Sequence, residues 1–234
     1  MTETVARKLK GPQLTDRDAL VLAWLGDQYG ARVDVLKVLL ARFGGGEAPL
    51  SSSGVRQQVD RWQRAGWVTA AAALGWTWVT PTARGFAEVG LGYPTWKMPA
   101  TKLAHTQAVN VVRLWYESSP VRVAEHGPWV SERRLFAQRG QDSWHVPDGQ
   151  TAGWAFEVEL TPKYRPRYGE EVFCRLAPGV VGVVYLCPAH LVERVRRATA
   201  EGASKAGNGR GPVRLSVRVL PSVVGVGYAH EQSR

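Results

Sequence analysis

Cysteine is scarce in this chain: Cys174 and Cys187 are the two among 234 residues, and they form no Cys-x-x-Cys spacing. A disulfide framework and a cysteine-held zinc are thereby excluded, and two reduced, buried thiols are expected. Long apolar runs are missing too. No stretch approaches the roughly 20 residues that span a bilayer, and the N-terminal "MTETVARKLKGPQ" has no apolar signal core. A cytoplasmic protein with no membrane partner is the expectation. There is no Gly-x-x-x-x-Gly-Lys-Ser/Thr run, and "GLGYPT" lacks the strand and helix context of a dinucleotide loop, which argues against ATP or NAD chemistry. His105, His126, His145, His190 and His230 are far apart in sequence, so the paired histidines of a metal-assisted tyrosine nucleophile are missing. Tyr164 and Tyr168 in "KYRPRYGEE" sit among arginines that suit phosphate contact or stacking.

Acid is the scarcer charge. Twenty Asp and Glu stand against thirty Lys and Arg, a formal charge of +10 with a pI near 10.0. That balance favours a polyanionic partner, nucleic acid first. The chain is 44% hydrophobic with ten tryptophans, enough to bury a core. Its length suits two domains of about 100 residues each.

In the first half, "LTDRDALVLAWLGDQYG" offers Thr15 as a cap and Leu20, Ala23, Trp24 and Leu25 as one apolar face. "ARVDVLKVLLARFGGGEAPL" repeats the pattern with Val35, Leu36, Leu39 and Leu40, and the glycines at 44–46 stop it. "SSSGVRQQVDRWQRAGWV" places Val55, Val59 and Trp62 on one side of a third, serine-capped helix, with Arg56, Gln57, Arg61 and Arg64 opposite. "WVTA" and "WTWVT" then read as two short strands around a turn containing Gly75. Three helices and a hairpin resemble the winged helix-turn-helix family over residues 14–92. The resemblance implies a DNA-reading third helix lying in the major groove, with Ser52, Ser53, Arg56, Gln57, Arg61 and Arg64 on the duplex.

The aperiodic "GLGYPTWKMPATK" reads as a connector, with the linker placed at 93–102 and the second domain at 103–230. "ATKLAHTQAVNVVRLWYES" is helical through Leu103, Ala104, Val111 and Leu114, and its His105 reads as isolated and structural. "WAFEVEL", "GVVGVVYLC" and "VRLSVRVLP" are strand-like, "AHLVERVRRATAEG" is a helix, and the Gly-rich 201–212 reads as a mobile loop. Helix and strand alternate, which predicts an α/β domain with a mixed sheet.

The chemistry concentrates in "HVPDGQTAGWAFEVELTPK". On an extended strand Glu157 and Glu159 share one face while Phe156, Val158 and Leu160 take the other, so two like charges are forced together. Asp148, between Pro147 and Gly149, turns back over Glu157 as in a hairpin. Hard oxygen ligands of this kind suit Mg²⁺ or Mn²⁺. A proline-aspartate followed by Glu-x-Glu resembles the PD-(D/E)xK nuclease superfamily. Its upstream glutamate would be Glu132 in "WVSERRL", on the helix preceding the sheet, and its lysine role would fall to Glu159 or Lys163.

A winged helix followed by "WVSERRL", "VPDG" and "FEVELTPK" resembles the replication-relaxation family of bacterial plasmids, phages and integrated elements, over most of residues 14–190. The resemblance implies an α/β protein, α+β overall, with an N-terminal winged helix and a restriction-endonuclease-like domain. It implies a role in plasmid replication or mobilisation, with duplex DNA as partner, and with a homodimer and replication or conjugation proteins as further candidates. At an active site Asp148, Glu157 and Glu132 would hold the metal, Lys163 or Glu159 would orient or deprotonate the attacking water, and Arg165 and Arg167 would meet DNA. The competing expectation is a non-enzymatic regulator or accessory factor whose glutamates pair with Arg165, Arg167 or Arg175.

Overall fold

The computed structural model describes residues 13–46, 48–97, 99–139, 144–161, 172, 176, 179–206 and 213–223. The chain divides into two compact units: Met1–Gly26 with Gly30–Lys97, and Asp27–Tyr29 with Met98–Arg234. Together they are a mixed α/β structure, with a three-stranded antiparallel sheet in the first unit and a five-stranded mixed sheet in the second.

The first unit runs α1 (Asp16–Asp27), β1 (Ala31–Arg32), α2 (Val33–Phe43), α3 (Ser52–Arg64), β2 (Val68–Ala73), β3 (Trp76–Pro81) and α4 (Ala83–Glu88). Its sheet has the order β1-β3-β2. The α2 face expected from spacing is buried at Val35, Leu36, Leu39 and Leu40, and so is the α3 face at Val55, Val59 and Trp62. Each such side chain contributes about 1.5–3 kcal/mol by leaving water. Ser51 caps α3, its Oγ accepting from the Gly54 amide at 3.1 Å. The β2–β3 turn is two residues long, since Ala73 faces Trp76. Leu74 and Gly75 both take positive φ, 51° and 77°, as the twist of a tight hairpin requires.

The buried face of α1 differs from the expectation. Trp24 and Leu25 are buried as expected, but Leu20 is half exposed, and Asp18, Val21 and Leu22 join the inward face. A search for apolar spacing passes over Asp18, which is fully buried because its carboxylate is completely occupied. It accepts from the Thr15 amide at 3.0 Å, Gln58 Nε2 at 3.1 Å, Trp62 Nε1 at 3.0 Å and the guanidinium of Arg61. Burial acts to raise its pKa, but the Arg61 hydrogen bond and the Thr15 and Trp62 donors hold it below the ordinary 3.8.

The second unit runs α5 (Ala100–Glu117), α6 (Pro120–His126), β4 (Val130–Ser131), α7 (Glu132–Arg139), β5 (Gly149–Thr151), β6 (Trp154–Val158), β7 (Gly182–Cys187), α8 (Val192–Ala206) and β8 (Arg214–Val219). The sheet order is β4-β5-β6-β7-β8. β4 and β6 each run antiparallel to β5 between them, and β6, β7 and β8 are parallel. Side chains that alternate along β6 and β7 make two cores. Phe156, Val158, Val184 and Leu186 pack with Val109, Val112 and Tyr116 of α5. Ala155, Val183, Tyr185 and Cys187 pack with Val195 and Ala198 of α8. β6 thus keeps Phe156 and Val158, with Leu160 after them, on one apolar face as expected, while the opposite face, which carries Ala155 and Glu157, is buried as well.

Two placements correct the sequence reading. Glu132 opens α7, after strand β4, instead of lying on the helix that precedes the sheet. Val130 and Ser131 pair with Gln150 and Gly149, and this pairing, made across the chain, turns "WVS" into strand. The expected loop at 201–212 is helical through Ala206, because Val195 and Ala198 anchor α8 on the sheet. No described helix is long and apolar enough to cross a membrane.

Candidate functional site

Antiparallel pairing of β5 with β6 sets Gly149 opposite Phe156, which brings Asp148 beside the C-terminal end of β6. Gly149 is required there for packing: a Cβ would lie 1.8 Å from the Trp129 ring. Trp129 also stacks with Phe156 at 5.0 Å, so a wall of aromatic rings fixes the turn that carries Asp148. Asp148 Oδ2 accepts from the Val158 amide at 2.7 Å, and Oδ1 meets His105 Nε2 at 2.7 Å. Glu157, almost wholly buried, places Oε1 2.6 Å from His145 Nε2.

Glu132 completes the cluster. It stays solvent-exposed at the start of α7, yet its pKa is raised above the ordinary 4.5, by desolvation and then by the negative charge of Asp148, with Glu157 adding to it. Because the side chain still reaches water, the repulsion from Asp148 is the more telling of the two causes. His105 shows the complementary response. Burial acts to lower its pKa, but its hydrogen bond to Asp148 and the charges of Asp148 and Glu132 outweigh that and raise it above 6.5. The isolated histidine of the sequence reading is thus a direct partner of the acid 43 residues away.

Glu159 is two residues beyond Glu157. It follows the end of β6, its amide donating to Leu186 O at 2.9 Å, and its charge is felt by Cys187. Burial and then Glu159 raise the Cys187 thiol above 9.0. The structure therefore brings Glu132, Asp148 and Glu157 near one another, adds His105, His145 and the nearby Lys102, and buries Glu159, whose charge acts on Cys187. Lys163, Arg165, Arg167, Arg175, Tyr164 and Tyr168 lie outside the described residues, as does Cys174.

On α3, Ser52, Ser53, Arg56, Gln57 and Arg64 are exposed. Arg61 is not part of that free face, since its guanidinium pairs with Asp18 and donates to Gln13 O at 3.0 Å. Near the hairpin, Arg32 lies 3.4 Å over the Trp76 ring and pairs with Asp34 at 2.7 Å. Helical spacing had not pointed to this cation and ring.

Among the described residues, no group of three or more His, Cys, Asp or Glu side chains is placed to hold a metal ion. Mg²⁺ does not need so many. It is commonly held by one or two carboxylates, with water and substrate phosphate completing its shell, and Asp148 and Glu157 are donors of that kind. After desolvation, the negative charges of Asp148 and Glu157 help to raise the pKa of Glu132, and a cation would relieve that part.

Comparison with models of protein families, with curated proteins and with solved structures finds no match for this chain.

Proposed function

We propose that this is a DNA-binding protein of a mobile genetic element, acting in plasmid replication or mobilisation, whose second unit nicks DNA with Mg²⁺ or Mn²⁺ at a PD-(D/E)xK-type site. One observation carries the reading: Asp148 and Glu157 meet at the end of an antiparallel β5–β6 pair with Glu132 beside them. The mixed five-stranded sheet of the second unit, with α5 packed on it, is in keeping with the α/β domain that the reading expects.

Asp148 and Glu157 would hold the cation, which when bound would neutralise charge on the scissile phosphate and lower the pKa of a water. The Val158 amide fixes the Asp148 carboxylate, and His105 and His145 orient the two acids. Lys102, near Glu132 and His105, is a cation suited to the approaching backbone. In the first unit, the exposed Arg56, Gln57 and Arg64 of α3 would meet duplex DNA, with Ser52 and Ser53 at the helix start. Arg61 serves Asp18 in this reading.

A second reading keeps the DNA binding and drops the chemistry, making the second unit a dimerisation or partner-binding module. It is favoured by the imidazoles that already satisfy Asp148 and Glu157, and by Glu159 standing beside Cys187 where the motif's lysine belongs. Supercoiled plasmid incubated with the protein and Mg²⁺ or Mn²⁺ separates the two. The nuclease reading expects open circles, lost at least about 100-fold in Asp148→Asn and Glu157→Gln, with salt-sensitive duplex binding unchanged. Intact plasmid under tight, salt-sensitive binding would establish the second reading instead.

A further inference from the structure

A cavity of about 280 Å³ opens on the α5 side of the sheet, near the start of β6. Around it stand two half-buried indoles, Trp115 and Trp154, the imidazole of His126 and the guanidiniums of Arg122 and Arg218, with Ser216 between strands and solvent. The buried Tyr116, Phe156 and Val184 form its deepest part. This is small for a ligand pocket, which commonly measures about 300–1,000 Å³, and suits one flat ring with a polar appendage.

The cations are built in. Arg122 lies 4.1 Å over the Trp115 ring, donates to the Trp115 carbonyl and reaches Ser118 Oγ at 3.5 Å. Arg218 is exposed on β8, with its Nε donating to Ser216 Oγ at 3.2 Å. Burial and then the nearby positive charge of Arg218 lower the Arg122 pKa. No carboxylate is among the described residues that line the cavity. The rings offer stacking faces, His126 and Trp154 meeting edge to face at 6.3 Å. A matching ligand therefore has a π face and a negative charge.

We propose that this cavity binds one nucleotide unit, its base stacked against the Trp115, Trp154 and His126 rings and its phosphate held by Arg122 and Arg218. The unit is either a free mononucleotide or an unstacked residue of a single strand. Tyr116 lies roughly 16 Å along α5 from His105, at 1.5 Å per residue, so the cavity does not overlap the carboxylate cluster. The inference stands whether or not that cluster cuts DNA.

Calorimetric titration of the full chain with dAMP, deoxyadenosine, inorganic phosphate and a short single-stranded oligodeoxyadenylate tests it, with Arg218→Ala and Ser216→Trp alongside. The expected result is dAMP binding that weakens at least tenfold in Arg218→Ala, is abolished when the Ser216→Trp indole fills the cavity, and exceeds binding of deoxyadenosine tenfold or more. Binding of the oligomer but not of dAMP, with the same sensitivity to both variants, assigns the cavity to a strand residue. Failure of both ligands to bind, binding that both variants leave intact, or phosphate binding as tightly as dAMP overturns the proposal. Arg218 is an exposed side chain, so its variant decides the matter even if Ser216→Trp fails to fold.

Discussion

The two units bury acid in opposite ways. In the first, Asp18 gathers the amide of Thr15, the side chains of Gln58 and Trp62 and the guanidinium of Arg61 on one carboxylate, and its pKa falls. In the second, Asp148, Glu157 and Glu132 crowd one another, have imidazoles as partners, and the pKa of Glu132 rises. A buried acid with a full set of donors locks helices together. Acids that repel each other are held in place by the fold at some cost, and such a cost is the mark of a site built to receive something.

The sharpest way to break this contrast is to remove each acid. Asp18→Ala leaves Arg61, Gln58 and Trp62 without their acceptor and is expected to cost about 3–5 kcal/mol in chemical denaturation. Asp148→Asn keeps an acceptor for the Val158 amide and relieves repulsion on Glu132, so the expected cost is below about 1.5 kcal/mol. Equal losses would erase the distinction between lock and site. Gly149→Ala drives a methyl group into the Trp129 ring and is expected to cost about 1–3 kcal/mol, while lowering any nicking activity by displacing Asp148. Normal stability in that variant would show that the aromatic wall does not set the turn.

Titration sharpens the comparison further. The Asp18 pKa is depressed, so its contribution is present above the ordinary 3.8 and is lost as pH falls through the folded value. Acid unfolding of the first unit should thus be blunted in Asp18→Asn, whose melting temperature at pH 7 is already low. His105 is raised, so its contribution is complete below 6.5 and is lost as pH rises through its folded value. The gap in melting temperature between wild type and His105→Gln should narrow from pH 6 to pH 9, and a gap that widens would contradict the pairing with Asp148. The smallest effect belongs to Glu132. Its raised pKa makes its ionised form a mild burden above 4.5, so Glu132→Gln should raise the melting temperature slightly at pH 8 and not at pH 4. A lowered temperature at pH 8 would mean that Glu132 has a stabilising partner after all.

Much of the fold was legible because local periodicity follows from local geometry. The 3.6-residue spacing of Val35, Leu36, Leu39 and Leu40, and of Val55, Val59 and Trp62, marks helices whatever they pack on. The two-residue turn at Leu74 and Gly75 was visible from the glycine between β-prone runs. The pair Asp148 and Glu157 was legible as well, since only a short hairpin separates them. What failed did so over distance or polarity. Asp18 broke an apolar pattern because its partners lie on α3, more than 40 residues on. His105 looked isolated for the same reason.

Composition and spacing were sufficient to specify a basic chain, its helices, a hairpin and a carboxylate-bearing strand, since these depend on residues a few positions apart. Tertiary packing alone chose the polar partners. Arg61 went to Asp18 instead of a free face, His105 and His145 went to the two acids, and Trp115, Trp154, Arg122 and Arg218 were brought from four elements to one cavity. Polar and charged groups that leave water must find compensation inside the fold, and which group is within reach depends on how sheet and helices close around it, which no local pattern encodes.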